Sequence, residues 1–104
     1  MAILSESALQ AALNDLPGWQ VVGGALTKTF TLQGFPEAIA LVNGAAERAE
    51  VQGHHPDMDI RYNKVTFALV THDEGGITEK DVAMARDIEM QSTFPERGDE
   101  PGEL

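Results

Sequence analysis

Apolar residues recur at the three- and four-residue spacing of an α-helix in three segments of the chain. The first segment follows Ser5, a residue type that caps helices, and it ends at Pro17. The second has Pro36 in its first turn and Gly53 where a C-cap glycine belongs. The third begins at Thr78, another capping residue type. These segments predict three helices, whose inward-facing residues are Leu9, Ala12, Leu13 and Leu16; Ile39, Val42, Ala46 and Ala49; and Val82, Ala85 and Ile88 or Glu89.

Short β-prone runs separate the predicted helices. The first two runs are joined by Gly23 and Gly24, which can supply the positive φ angles of a tight hairpin turn. The last two meet at Asn63, a residue that tolerates turn geometry, and they form either a hairpin or one bent strand. The four predicted strands cover residues 19–22, 26–32, 57–62 and 64–72.

The predicted order is helix, strand, strand, helix, strand, strand, helix. It favours an α+β fold in which a four-stranded antiparallel sheet carries three helices packed on one face. At 104 residues with 42% hydrophobic content, the chain can build one core. We expect a single domain over residues 1–94 and a flexible acidic tail over 95–104, where almost no residue can be buried. The two edges and bare face of such a sheet make a homodimer or homotetramer the expected assembly.

The charge and composition of the chain exclude several classes of function. A net charge of −10, with seven scattered Lys and Arg residues, repels phosphate backbones, so no nucleic acid partner is expected. No apolar run approaches the roughly 18 residues of a membrane span, and no secretory leader is evident, so we expect a cytoplasmic protein without membrane contact. The absence of cysteine excludes disulfides and thiolate metal ligands. Chemistry must therefore use histidines, carboxylates or hydroxyls.

All three histidines of the chain lie at the ends of predicted elements. His54 and His55 follow the second helix, and Pro56 restricts the preceding residue to extended conformations, so the two side chains should diverge. His72 ends the last strand. An imidazole titrates near neutral pH and suits proton transfer, whereas the alternative for each histidine is a solvated or hydrogen-bonded structural role. Adjacent histidines converge poorly on one ion, so no metal site is predicted.

Polar neighbours of the histidines also have two interpretations. Thr71 is either a strand residue or an orienting hydroxyl. Asp81 stands three residues after Thr78, as in a capping box with Asp in the usual place of Glu, which is a structural explanation for it. Glu50 lies one helical turn before the histidine pair, where it can interact with an imidazole.

The spacing of these residues is more specific than any one of them. Seven positions fall within 32 residues, and the pattern resembles the pterin-4a-carbinolamine dehydratase family. The segments 62–65, 71–72 and 76–81 are also similar to that family, and the likeness runs from residue 4 to about 92. The chain departs from the family at Val51, where many relatives carry lysine, and at Met58, where an aromatic residue is common. The seven positions are Glu50, His54, His55, Pro56, Tyr62, His72 and Asp81.

The resemblance implies an enzyme that dehydrates 4a-hydroxytetrahydropterin to quinonoid dihydropterin. Such a reaction restores the pterin used by aromatic amino acid hydroxylases, which makes a hydroxylase the implied functional partner. It implies no metal and no organic cofactor. The alternative is a non-catalytic dimerisation or assembly module with the same fold. The implied roles are acid and base for His54 and His72, substrate binding for His55, and binding or orientation for Glu50, Pro56, Thr71 and Asp81.

Overall fold

A computed structural model describes residues 2–92 of the protein, and the predicted tail over 95–104 lies outside the described residues. The predicted α+β class and the order α-β-β-α-β-β-α are confirmed. The elements are α1 (Glu6–Asn14), β1 (Gln20–Val22), β2 (Ala25–Thr31), α2 (Phe35–Gln52), β3 (Asp57–Arg61), β4 (Lys64–Leu69) and α3 (Glu79–Ser92).

Three of the predicted helix caps are present, whereas α1 ends at Asn14 rather than just before Pro17, with Asp15 as its C-cap. The Ser5 hydroxyl accepts a hydrogen bond from the Ala8 amide at 3.1 Å, which caps α1. The capping box of α3 is also present, because the Asp81 carboxylate accepts from the Thr78 amide at 2.9 Å. Gly53 ends α2 in the left-handed region with φ 66°, where a side chain would be strained. The first two caps determine where α1 and α3 begin, and the third determines where α2 ends.

The four strands form one antiparallel sheet in the order β1-β2-β4-β3. The β3–β4 connection is a hairpin, and Tyr62 occupies its turn with φ 53°. The last strand ends at Leu69, three residues earlier than predicted, because the Thr71 amide pairs with the Gly76 carbonyl at 2.9 Å instead of continuing the ladder. His72 therefore lies in a turn beyond the strand.

One hydrophobic core lies between the sheet and the helices. Alternate residues of β4 point into it, and α3 buries the predicted Val82, Ala85 and Ile88. The predicted inward face of α2 was wrong in part: Ile39 and Val42 are half-buried and Ala46 is exposed. Three of the four buried residues of α2 lie one position before the predicted ones. The alanines among them are small, so they allow the helix to pack closely around the buried Leu41. They are Ala38, Leu41, Ala45 and Ala49.

A polar contact fixes α3 against the sheet. One carboxylate oxygen of Glu89 accepts hydrogen bonds from the Trp19 indole at 2.7 Å and from the Lys28 ammonium at 2.5 Å. Lys28 also donates to the Pro17 carbonyl at 2.9 Å and lies 4.6 Å from the Phe30 ring centroid. Because these groups are largely shielded from water, the contact is stronger than an exposed ion pair and holds α3 in a defined position.

Within residues 2–92, no helix is both long enough and apolar enough to span a membrane.

We predict that Gly53→Ala lowers the free energy of unfolding by about 1–2 kcal/mol, since a Cβ disfavours the left-handed conformation. Gly53→Asn is the matched control and should lose less, because asparagine tolerates this region better than alanine. Urea denaturation followed by circular dichroism measures both. Equal stability of the alanine variant and the wild type would contradict the strain argument.

Candidate active site

A cavity of about 240 Å³ opens where the C-terminus of α2, the end of β4 and the N-terminus of α3 meet. Its wall contains all three histidines, although they are contributed by segments far apart in the chain. The volume lies below the roughly 300–1,000 Å³ of pockets for drug-sized ligands, so the cavity suits a small ring system. The lining residues are Gly53, His54, His55, Val70, Thr71, His72, Asp73 and Lys80.

His54 is bound to a fully buried carboxylate. Its Nε2 lies 2.5 Å from Oδ1 of Asp81, and the two side chains are 11% and 0% exposed. The left-handed residue Gly53 turns the chain at the end of α2, which directs His54 inward towards the first turn of α3. This contact joins residues 27 positions apart and is the central interaction of the site.

The second oxygen of Asp81 accepts two further hydrogen bonds. The donors are the Thr71 hydroxyl and the Thr78 amide, each at 2.9 Å. Because Thr71 donates to Asp81, its oxygen accepts from the Thr78 hydroxyl, 2.7 Å away. An ionised carboxylate can only accept hydrogen bonds, so Nε2 of His54 is the donor in the contact with Oδ1. The remaining ring nitrogen, Nδ1, is the one left for chemistry.

His55 points elsewhere, as the proline after it predicts. Its Nε2 lies 2.7 Å from a carboxylate oxygen of Glu50, and the two side chains are 63% and 78% exposed. An exposed pair of this kind contributes little to stability, so it serves mainly to orient the ring at the mouth of the cavity. Pro56 is buried and does not line the cavity.

His72 lies in the turn that the Thr71–Gly76 pairing closes. The side chain is exposed, and within residues 2–92 its imidazole has no hydrogen-bond partner. The imidazole therefore lines the cavity without a competing partner among the described residues. One imidazole backed by a carboxylate and one without a partner can together supply a base and an acid.

The structure brings together His54, His55, His72 and Thr71 in the cavity wall, with Asp81 directly behind His54. Glu50 reaches the site only through His55.

Sequence reasoning assigned no binding role to two charged residues of the wall, Asp73 and Lys80. Both are exposed, and neither side chain forms a hydrogen bond or ion pair with another described residue. Their proximity to His72 and Asp81 in the chain was the available signal, but neither residue belongs to the spaced pattern. The wall thus contains one free anion and one free cation that the sequence pattern did not indicate.

In the described part of the chain, no group of three or more His, Asp or Glu side chains is arranged to hold a metal ion.

Comparison with known proteins identifies the family of this chain. The model of the family described as pterin 4 alpha carbinolamine dehydratase matches residues 2–91. The chain belongs to this family. The resemblance identified from the spaced histidines is thereby confirmed.

Relatives within the family match nearly full length. A protein of Mycolicibacterium vanbaalenii is 54% identical over 89 residues, which are 86% of this chain and 96% of its own. A protein of Herpetosiphon aurantiacus is 55% identical over 89 residues, 86% of this chain and 93% of its own. Each is named a pterin-4-alpha-carbinolamine dehydratase, as an inferred activity rather than a demonstrated one.

Solved structures share the fold. The crystal structure of a transcriptional coactivator/pterin dehydratase from Brucella melitensis has a TM-score of 0.83 and 39% identity, covering 86% of this chain and 98% of that one. A pterin dehydratase-like protein, identified as a RuBisCO assembly factor in the alpha-carboxysome, has a TM-score of 0.59 and 21% identity. It covers 71% of this chain and 86% of its own, and its likeness shows the fold alone.

We predict that Asp81→Asn lowers the free energy of unfolding by about 1–3 kcal/mol, because an amide cannot accept from donors on both sides. Its NH2 group would oppose either His54 or the pair Thr71 and Thr78. Asp57→Asn makes the same chemical change at an exposed position outside the cavity wall and should leave stability nearly unchanged. Urea denaturation of both variants checks this, and equal stabilities would refute it.

Proposed function

We propose that this protein dehydrates 4a-hydroxytetrahydropterin to quinonoid dihydropterin. The observation that carries the proposal is the meeting of two imidazoles in one small cavity, one of them backed by the buried carboxylate of Asp81. Membership of the pterin carbinolamine dehydratase family supports the class of substrate.

The reaction needs one acid and one base. The bond between C4a and its hydroxyl oxygen breaks, and the hydroxyl takes up a proton and leaves as water. N5 releases its proton, and the electron pair forms the C4a=N5 double bond. No electrons pass to or from another molecule, so proton transfer alone can drive the step without a metal or an organic cofactor. A placed acid or base typically contributes roughly a hundred- to ten-thousand-fold in rate.

The two histidines take different roles in this proposal. His54 is the base, because the carboxylate of Asp81 stabilises the imidazolium that forms when Nδ1 takes the proton from N5. His72 is the acid that protonates the departing hydroxyl, since its ring has no competing partner among the described residues. His55 contacts the substrate at the mouth of the cavity. Thr71 and Asp81 orient His54, while Glu50 and Pro56 orient His55.

In the cell, the proposed product would return to the tetrahydropterin pool that aromatic amino acid hydroxylases use. We place the protein in the cytoplasm, with a hydroxylase as its functional rather than physical partner. The net charge of −10 supports the exclusion of nucleic acid and anionic lipid as direct ligands.

A non-catalytic binding or assembly module is the second candidate. The Brucella protein is described as a transcriptional coactivator as well as a pterin dehydratase, and fold alone does not imply catalysis. On this alternative, a partner protein would bind equally well after loss of the histidines. The contact between His54 and buried Asp81 favours the enzyme, because a binding surface has no need of a buried carboxylate beneath it.

Self-association through the outer edge of β3 is also proposed. Among residues 2–92, no strand pairs with this edge, and the helices leave two apolar residues beside it, Met58 and Ile60, which are 38% and 40% exposed. Both are paired with buried residues of β4, so they lie on the helix-facing side of the sheet. An unpaired edge flanked by apolar side chains is a favourable surface for a second copy of the chain.

We predict that His54→Ala and His72→Ala each lower kcat for dehydration by roughly a hundred- to ten-thousand-fold, since each removes one proton-transfer group. His55→Ala should raise KM more than it lowers kcat. The measurement is the accelerated decay of freshly generated 4a-hydroxytetrahydropterin. Lys64→Gln, at an exposed position outside the cavity wall, controls for a general effect of substitution.

The wild-type result decides between the two candidate functions. Decay no faster than in buffer would refute the enzyme. Recovery of one defined partner protein, unchanged in His54→Ala and His72→Ala, would then support the assembly module.

We predict that Ile60→Lys converts the assembled protein to a smaller species in analytical ultracentrifugation, because a lysine beside the edge opposes strand pairing. Val22→Lys makes the same kind of change on the opposite edge strand and should leave the assembly intact. A monomeric wild type, or an Ile60→Lys variant with unchanged mass, would contradict this interface.

A further inference from the structure

Three polar side chains are buried among residues 2–92: Thr71, Thr78 and Asp81, which are 4%, 0% and 0% exposed. Two of them hold His54, because Asp81 accepts from the imidazole and Thr71 donates to Asp81. Thr78 caps α3 and does not line the cavity. A buried hydroxyl needs an acceptor within the protein for its hydrogen, so the Thr78 hydroxyl constrains the groups around it.

The hydrogen of the Thr78 hydroxyl has one acceptor in the described part of the chain, Oγ1 of Thr71 at 2.7 Å. The Thr78 oxygen itself accepts from the Lys80 amide at 3.2 Å. Thr71 has two oxygens within reach of its own hydrogen, those of Thr78 and Asp81 at 2.7 and 2.9 Å. Donation to Thr78 would leave the Thr78 hydrogen without an acceptor and a buried carboxylate oxygen without a donor. The Thr78 hydroxyl therefore makes Thr71 donate to Asp81.

The resulting hydrogen bonds all point the same way. They run from the Lys80 amide through the two hydroxyls to one oxygen of Asp81, and the other oxygen accepts from Nε2 of His54. Hydrogen bonds in such a chain polarise one another, by roughly 10–30% per bond. Donation from Thr78 thus makes Thr71 a stronger donor to Asp81, and the carboxylate is held in the orientation that meets His54.

We propose that Thr78 is a positioning residue for proton transfer by His54. Its hydroxyl acts through Thr71 and Asp81, and it touches neither the cavity nor the imidazole. Loss of the hydroxyl loosens the carboxylate that orients the ring, so the rate of proton transfer falls while the affinity for the substrate stays the same. This inference rests on the proposed function for its effect on rate, whereas the direction of the hydrogen bonds does not depend on that function.

The kinetic test uses a side chain with the shape of threonine but without its hydroxyl. Thr78→Val should lower kcat for dehydration by roughly three- to tenfold, the loss equivalent to one net hydrogen bond, and leave KM unchanged. Thr78→Ser keeps the hydroxyl and should restore the wild-type kcat. A Thr78→Val variant with wild-type kcat, or a Thr78→Ser variant as slow as Thr78→Val, overturns the proposal.

Ser5→Ala controls for the loss of a helix cap. It removes the side-chain cap of α1 outside the cavity wall, so kcat and KM should both stay at their wild-type values.

A double-mutant cycle separates the Thr78 hydroxyl from the stability of the first turn of α3. Thr78→Val also removes the acceptor of the Lys80 amide, which weakens this turn whether or not the Thr71 hydroxyl is present. If Thr78 acts through Thr71, the variant Thr71→Val and the double variant Thr71→Val/Thr78→Val should have the same kcat. A double variant slower than Thr71→Val by the full factor of Thr78→Val overturns the proposal, because independent effects multiply.

Neutron diffraction tests the chain of hydrogen bonds in the unsubstituted protein, so it does not depend on a variant that folds. After exchange into heavy water, the deuterium on Thr78 Oγ1 should point to Thr71, and the deuterium on Thr71 Oγ1 should point to Asp81. A deuterium on Thr71 that points to Thr78 overturns the proposal. If the wild type does not accelerate dehydration, the proposed function fails together with the effect on rate, and the neutron map still decides the direction of the hydrogen bonds.

Discussion

The buried carboxylate of Asp81 is the interaction on which the rest of the site depends. It is inaccessible to water, so every hydrogen bond it accepts must come from the protein. Three elements supply these bonds: His54 from the end of α2, Thr71 from beyond β4, and the Thr78 amide at the start of α3. Satisfying one buried charge therefore draws the ends of three elements to one point and creates the cavity beside them.

The need to satisfy the buried carboxylate of Asp81 gives the two adjacent histidines different environments. His54 is directed inward and gives one ring nitrogen to the carboxylate, whereas His55 is directed outward to an exposed partner. The left-handed turn at Gly53 and the restriction imposed by Pro56 make this divergence possible within two residues. A site on a loop gains precision in this way, because its central side chain is held by the core rather than by the loop.

Polar contacts away from the cavity support its geometry. The hydrogen bonds that Glu89 accepts from Trp19 and Lys28 hold the C-terminal part of α3 against the sheet. Arg48 of α2 donates to Asp87 of α3 at 3.0 Å, which joins the helix that precedes His54 to the helix that carries Asp81. The contact between His54 and Asp81 keeps its distance only if α2 and α3 do not slide past each other, and these contacts oppose sliding.

The sequence by itself determined the order of elements, the helix caps and the family pattern, because these depend on local spacing and on residues such as Gly53 and Thr78 whose conformational preferences are strong. The sequence predicted the wrong inward face for α2, because the apolar and small residues of this helix cover more than one face. The choice between those faces depends on what packs against them.

Only the tertiary structure decided the partners of the site residues. The sequence showed Asp81 as a helix cap, and the structure shows the same carboxylate also binding His54, 27 residues away. Likewise, the seven spaced positions do not include Asp73 and Lys80, and the position of these two residues in the wall follows from the turn after β4 and the start of α3. Spacing along a chain describes neighbours within an element, whereas contacts between elements depend on how the core packs.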